Sequence, residues 1–340
     1  IGGVAVVANK RRSPWAFILF ALLAMLAVTL VLSHPVHSYI KLVKTHVKTM
    51  GTQGDDLTGK SDDPLWKEIV SLSRAINEKP ENARIDAVWK AIPGYNGLEV
   101  DLVKSYRIAQ QIGRVDLRQL VIDEVEPQIT LDDLPPAAIY RGHPKKPALA
   151  FMVNVAWGTE YIEPILDILD RYQIKATFFL DGKWLERNKA TAEMMVKRGH
   201  ELGNHAYSHP DMRKLSIEQI YEEMTKTEEL IKQLGVHSHY FAPPAGAYDE
   251  RVVQVAWQFQ MHTVMWRLDT LDWKKPTPQE IIVRIVPRLE NGVLILMHPT
   301  ELTVVALPEL FEGALKKGIE PATVSEVLSS NRTIFIEPAP

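Results

Sequence analysis

The sequence contains no cysteine among its 340 residues. This absence excludes disulfide bonds, thiolate zinc sites, iron–sulfur clusters and a cysteine nucleophile. The sequence also lacks a surplus of positive charge, since 39 Lys and Arg stand against 42 Asp and Glu and the formal net charge is -3. Nucleic acid is therefore not an expected partner, because its phosphates attract strongly basic proteins. Any metal must be held by histidines and carboxylates.

One long uncharged run, WAFILFALLAMLAVTLVLS, occupies residues 15–33. As an α-helix it would extend about 28 Å, which is close to the hydrocarbon thickness of a bilayer. Lys10, Arg11 and Arg12 precede it, and the positive-inside rule places such an end in the cytoplasm. We therefore predict a cytoplasmic segment over residues 1–14, a single-pass membrane anchor over 15–33 and an extracytoplasmic remainder. A cleaved secretory signal is the alternative.

Three further regions follow the predicted anchor. Residues 34–63 include a polar stretch rich in Gly and Asp, which is typical of a linker. Residues 64–140 predict a small α/β module, in which Asn96-Gly-Leu-Glu99 resembles a capping box that would open a helix ending near Ile112. The charged residues of this module favour a solvated surface, although an interaction role for it stays open.

From Pro147 onward, short apolar runs alternate with helical patterns. The predicted strands cover residues 148–155, 174–180, 240–242, 262–266 and 293–297. This alternation predicts a parallel sheet or a β/α barrel. In such folds, polar side chains that carry chemistry gather at the carboxyl ends of the strands.

Several unusual polar residues fall at those predicted strand ends. Asn154 closes the first run, His205 and His209 follow the motif Glu-Leu-Gly-Asn, and His298 ends the last run. The spacing of His205 and His209 is suitable for two imidazoles on one metal ion. The alternative is a pair of surface or capping histidines. Ala206 follows His205 where a zinc protease motif would need Glu, so that class of enzyme is excluded.

Five segments, in order, resemble the five motifs of the polysaccharide deacetylase family, the NodB-homology domain of carbohydrate esterase family 4. They are residues 153–158 (VNVAWG), 205–209 (HAYSH), 241–246 (FAPPAG), 269–273 (DTLDW) and 296–298 (LMH). The resemblance covers residues 147–330. Trp157-Gly158 and the predicted anchor are similar to the membrane-anchored branch of spore-forming bacteria. The resemblance implies a distorted (β/α) barrel at the cell envelope that removes N-acetyl groups from peptidoglycan- or chitin-like glycans.

The resemblance also implies roles for particular residues. It makes His205 and His209 ligands of a divalent metal, with zinc as the expected ion, and His298 the general acid. Asp269 would orient His298, and the backbone N–H of Ala245 would stabilise the oxyanion. The residues expected to contact the sugar are Trp273, Leu296 and Pro244. A satisfied buried histidine is the alternative for His298, and core packing is the alternative for Trp273.

The first and third motifs depart from the family pattern. Asn154 stands where the family has its aspartate base, and Val155 stands where it has the aspartate that binds the metal. Ala242 replaces the arginine that braces the base. An amide cannot accept a proton near pH 7, so the change at position 154 removes an effect worth about 10²–10⁴ in rate. The missing ligand at position 155 predicts a weak metal site, unless Asp211, Asp181 or another acid reaches the metal.

Two functions therefore stay open. The first is a metal-assisted deacetylase of reduced activity, which would release acetate from an N-acetylated glycan. The second is a degenerate barrel that binds a glycan or another partner without turnover.

Overall fold

A computed structural model describes residues 62–332 of the chain. The predicted cytoplasmic segment, the predicted anchor and almost all of the predicted linker lie outside the described residues. Within residues 62–332, no helix combines the length and the apolar character needed to cross a bilayer. The chain divides between Lys67 and Glu68 into two compact units, and every contact discussed below belongs to the second unit.

The amino-terminal part of the described chain combines short strand pairs with two helices. The elements are α1 (Pro64–Ile76), β1 (Arg84–Asp86), β2 (Lys90–Ile92), β3 (Gly97–Val100), α2 (Leu102–Ile112) and β4 (Ile122–Val125). Strand β1 pairs antiparallel with β2, and β3 pairs antiparallel with β4.

The predicted start of the second helix is wrong. Residues from Gly97 to Val100 form β3 because their backbone pairs with β4, more than twenty residues further along the chain. Helix α2 begins only after Asp101, whose carboxylate accepts a hydrogen bond from the backbone N–H of Lys104 at 2.9 Å. A long-range strand pair therefore overrides the local capping pattern at Asn96.

The main sheet contains eight strands that all pair in parallel. They are β5 (Ala148–Val155), β6 (Thr177–Leu180), β7 (Glu201–Asn204), β8 (Tyr240–Phe241), β9 (His262–Thr263), β10 (Leu268–Asp269), β11 (Leu294–Met297) and β12 (Glu320–Ala322). Their order is β10-β11-β5-β6-β7-β8-β9, and β12 also pairs with β5. The predicted parallel β/α architecture is confirmed.

The segment that precedes β5 bridges to residues beside β9, at one end of this curled sheet, and beside β11, the strand next to its other end. Ile139 forms a parallel bridge to Val264, just after β9, and Arg141 forms an antiparallel bridge to Val293, just before β11. The barrel is therefore distorted, because isolated bridges stand where a closed barrel would have a continuous strand pair.

Eight helices accompany the sheet. They are α3 (Thr159–Arg171), α4 (Gly182–Arg187), α5 (Lys189–Lys197), α6 (Ile217–Lys232), α7 (Glu250–Gln258), α8 (Pro278–Ile285), α9 (Glu301–Lys316) and α10 (Val324–Leu328). The predicted apolar stripe of α3 is buried, since Ile162 and Leu166 have no exposed surface. Such stripes attach the helices to the outer face of the sheet.

Strand β5 separates two hydrophobic clusters by the alternation of its side chains. Val153 and Val155 belong to the cluster between the sheet and the helices. Ala150 and Met152 belong to the cluster that fills the interior of the curled sheet. Because successive side chains in a strand point to opposite faces, Asn154 lies on the interior side.

Candidate active site

The carboxyl ends of the parallel strands bring three predicted site residues to one edge of the sheet. Asn154 is the penultimate residue of β5, His205 directly follows β7, and His298 directly follows β11. Strand β11 is the neighbour of β5, and β6 stands between β5 and β7. Burial is the main cause that lowers the pKa of His205 and of His209, and electrostatic interaction with His298 adds a smaller lowering to both.

The two predicted metal ligands lie side by side. The ring centroids of His205 and His209 are 5.2 Å apart. His205 is buried, and its Nδ1 lies 2.6 Å from the carbonyl oxygen of Ala242. A carbonyl only accepts hydrogen bonds, so Nδ1 carries the proton and Nε2 keeps its lone pair. Burial lowers the pKa of His205 to about 3 and also lowers that of His209, which keeps both rings neutral at pH 7.

Among the described residues, no carboxylate joins the histidine pair in a group that could hold a metal ion. Residues 62–332 contain no group of three or more His, Asp or Glu side chains that could hold a metal ion. Asp211 is paired with Arg213 at 2.8 Å, and Asp181 accepts a hydrogen bond from the backbone N–H of Trp184 at 2.8 Å. The described residues therefore do not complete the expected divalent metal site. Two imidazoles alone predict weak binding of a divalent ion.

Asn154, which stands at the position of the family's base, is buried and uncharged. Asn154 exposes only 3% of its surface, and its Oδ1 has no hydrogen-bond partner. An unpaired acceptor in a buried place costs about 1–3 kcal/mol. Val155 has no exposed surface and packs on the helix side of the sheet, away from Asn154. Neither residue supplies a charge to the site.

The predicted partner of His298 is wrong. His298 Nδ1 is bonded to Asp272 Oδ1 at 2.8 Å, and the backbone N–H of His298 donates to Asp272 Oδ2 at 2.6 Å. Thr303 Oγ1 donates to the same Oδ2 at 2.9 Å, and the Asp272 side chain is fully buried. Asp269 instead accepts from the backbone N–H of Leu271 at 2.7 Å. The tight turn after β10 therefore gives the orienting role to the second aspartate of the motif.

Two exposed indoles lie in the first and fourth motifs. The ring of Trp157 stacks on His298 with a centroid distance of 5.8 Å and an interplanar angle of 10°. Trp157 and Trp273 are 46% and 50% exposed, which contradicts core packing as the role of Trp273. Trp157 is not among the predicted site residues, although its place three residues after Asn154 in the first motif is a usable signal. Gly158 permits this turn, because a Cβ there would lie 2.0 Å from the Pro299 carbonyl oxygen.

The predicted oxyanion donor lies in a strained turn. Ala245 is exposed and has a left-handed backbone with φ of 53°. In this turn the N–H groups of Gly246 and Ala247 donate to backbone carbonyls, and that of Ala245 takes no part in these bonds. Pro244 and Leu296 are buried, so their contact with a sugar stays a prediction.

A family model and individual relatives both match this chain. A family model described as "Polysaccharide deacetylase" matches residues 141–264. The uncharacterized protein YlxY of Bacillus subtilis is 46% identical over 81% of this chain and 86% of its own length. A peptidoglycan-N-acetylglucosamine deacetylase of Bacillus cereus is 28% identical over 58% of this chain and 74% of its own length.

Similar solved structures include a protein described as lacking activity. A CE4 family pseudoenzyme from Bacillus anthracis has a TM-score of 0.75 and 40% identity, covering 80% of this chain and 97% of that one. A mutant of that pseudoenzyme, described as having restored enzymatic activity, has a TM-score of 0.75 and 39% identity over 80% of this chain and 100% of the mutant.

Proposed function

Since the chain belongs to the polysaccharide deacetylase family, carbohydrate esterase family 4, we propose that it binds an N-acetylated glycan of the peptidoglycan type without deacetylating it efficiently. The observation that carries this proposal is the buried amide of Asn154 in the place of the base. Hydrolysis of an acetamide needs a group that removes a proton from water, and an amide side chain cannot do so near pH 7.

The remaining residues of the site are suited to holding a sugar. His298 is fixed by Asp272 and could donate a proton or a hydrogen bond to the acetamide nitrogen. Trp157 and Trp273 present exposed aromatic surface of the kind that packs against the apolar face of a sugar ring. The N–H of Ala245 is available to the acetyl oxygen. Binding is therefore better supported than catalysis.

The comparisons support both halves of the proposal. The name of the Bacillus cereus relative supports peptidoglycan N-acetylglucosamine as the sugar class. The Bacillus anthracis pseudoenzyme supports loss of turnover, and its mutant with restored activity supports a barrel that stays competent to bind. The uncharged run over residues 15–33 supports attachment of this domain to the outer face of the cell membrane.

A weakly active deacetylase is the second candidate. The intact bond between His298 and Asp272 and the neutral pair of His205 and His209 favour it. In that case another residue would act as the base, and zinc would bind to the two imidazoles.

Acetate release and binding measured on the full chain distinguish the two candidates. We expect saturable binding of the N-acetylglucosamine tetramer by calorimetry. With added zinc or cobalt, we expect no more acetate from the parent than from the His298→Ala variant. Acetate released by the parent and lost in His298→Ala would favour the second candidate. Absence of binding would contradict the first.

A further inference from the structure

A second cavity, of about 760 Å³, opens at the opposite end of the strands. It is lined by Tyr240 and His262, the first residues of β8 and β9, by Trp257 of α7 and by Asp132. The candidate active site follows the carboxyl ends of the same sheet, and none of its residues lines this cavity. The interior hydrophobic cluster, which includes Ala242 and Val264, lies between the two.

The imidazole of His262, in the wall of this cavity, is held by two aromatic rings and a carboxylate. The His262 ring lies 6.3 Å from the Tyr240 ring at an interplanar angle of 30°, and 5.4 Å from the Trp257 ring at 71°. His262 Nε2 is bonded to Asp132 Oδ1 at 2.9 Å. The side chain of Asp132 is nevertheless 82% exposed, so it keeps acceptor capacity for a ligand. A carboxylate that is held in place beside aromatic rings is preorganised for recognition.

The rest of the lining combines polar side chains with the apolar residues Pro93, Gly94, Leu131 and Leu328. Among the described residues, the cavity is lined by no Lys or Arg, which disfavours phosphates and carboxylates as ligands. Side chains with hydroxyl, amide or imidazole groups surround the rings instead: Thr130, His239, Gln260, Ser325, Ser329 and Ser330. Aromatic surface combined with hydroxyl, amide and carboxylate groups suits a ligand with apolar C–H faces and many hydroxyls.

We propose that this cavity is a second binding site, for an uncharged oligosaccharide. The apolar face of a sugar ring would pack on Trp257, and its hydroxyls would donate to Asp132. This inference goes beyond the proposed function, because it requires nothing of the candidate active site. Two binding points on one glycan strand would raise the apparent affinity without any new contact at either point.

Calorimetric titration of the full chain with the N-acetylglucosamine tetramer tests the proposal. We expect two equivalents of saccharide to bind. Trp257→Ala should weaken one of them at least tenfold, and the control Trp273→Ala should weaken only the other. Unchanged stoichiometry and affinity in Trp257→Ala would overturn the second site. Unchanged binding in Trp273→Ala, with loss in Trp257→Ala, would instead contradict sugar binding at the candidate active site.

Trp257 is partly buried, so Trp257→Ala carries a risk of misfolding. Two milder variants keep the test informative in that case. Asp132→Asn keeps the shape of the side chain, and Gln260→Ala changes an exposed residue. Each should lower the affinity of the second site for the saccharide several-fold. Gln260→Ala should also keep the thermal unfolding midpoint of the parent. Parent affinity in both variants would overturn the proposal even if Trp257→Ala fails to fold.

Discussion

Two groups of residues in the candidate active site differ in their capacity to accept and donate protons. We call them the histidine side, at the ends of β7 and β11, and the β5 side, at the end of β5. On the histidine side, His205 is bonded to a carbonyl and His298 to the buried Asp272. Both imidazoles are therefore oriented, and each keeps its Nε2 for a ligand or a substrate. On the side of β5, Asn154 has an unpaired oxygen and Val155 is packed in the hydrophobic core. The framework of a hydrolytic site can therefore persist without the base that removes a proton from water.

The loops on the histidine side also hold strained backbone. Ala206, His209, Ala245 and Leu271 have positive φ values between 53° and 59°. Non-glycine residues in this conformation cost roughly 1–3 kcal/mol each and persist only where the surrounding structure holds them. Strand β5 contains no such residue among its described positions. Within the candidate active site, the strained residues therefore lie in the loops that orient the histidines and in the oxyanion turn.

The largest expected effect comes from returning a base to the β5 side. In Asn154→Asp, a carboxylate of nearly the same shape would replace the unpaired amide oxygen. We expect acetate release from the N-acetylglucosamine tetramer, with added zinc, to rise about 10²–10⁴-fold over the parent. Steady-state acetate assays measure this change.

A matched substitution on β7, two strands away from β5, controls for the charge itself. Asn204 is also buried, but its Nδ2 donates to the Met224 carbonyl and its Oδ1 accepts from the Ala206 N–H. Asn204→Asp should lower stability, since a carboxylate cannot donate to that carbonyl, and should leave acetate release at the parent level. Equal gains in the two variants would contradict the assignment of Asn154 to the base position.

The next effect concerns the two aspartates of the fourth motif. In the Asn154→Asp background, Asp272→Asn should lower the rate by roughly 10² because His298 loses the carboxylate that orients it. Asp269→Asn should cause a much smaller decrease, since Asp269 bonds to a backbone N–H in its own turn. The ratio of kcat values for the two variants is the measurement. A larger loss in Asp269→Asn would reverse our assignment of the orienting residue.

The smallest expected effect is a dependence of stability on pH from the histidine side. Burial lowers the pKa of His205 to about 3 in the folded state, whereas an unfolded histidine titrates near 6.5. Below pH 6.5 the unfolded chain therefore binds the additional proton, and the free energy of unfolding should fall by up to about 1.4 kcal/mol per pH unit.

Urea unfolding of the parent and of His205→Gln between pH 7 and 5 measures this contribution. The variant should show a shallower slope, because glutamine does not titrate. His237→Gln is the matched control at an exposed position. Equal slopes in the parent and in His205→Gln would mean that His205 does not stay neutral on folding.

Long apolar runs made part of the fold predictable. The predicted strand over residues 148–155 coincides with β5, because its buried residues form a continuous apolar run. The prediction over 262–266 was too long, since β9 ends at Thr263. Strand β7 was not predicted, because Glu201–Asn204 offers no apolar run and is held by its neighbours β6 and β8.

The amino-acid sequence sets which chemical groups the protein can use. It has no cysteine, an amide at position 154 and histidines at 205, 209 and 298, and no folding can make that amide a base. Only the tertiary structure decided that Asp272 rather than Asp269 holds His298, and that Trp257, His262 and Asp132 meet in one cavity. The physical reason is that residue identity is covalent, whereas a partner is chosen by turn geometry and by packing between segments far apart in the chain.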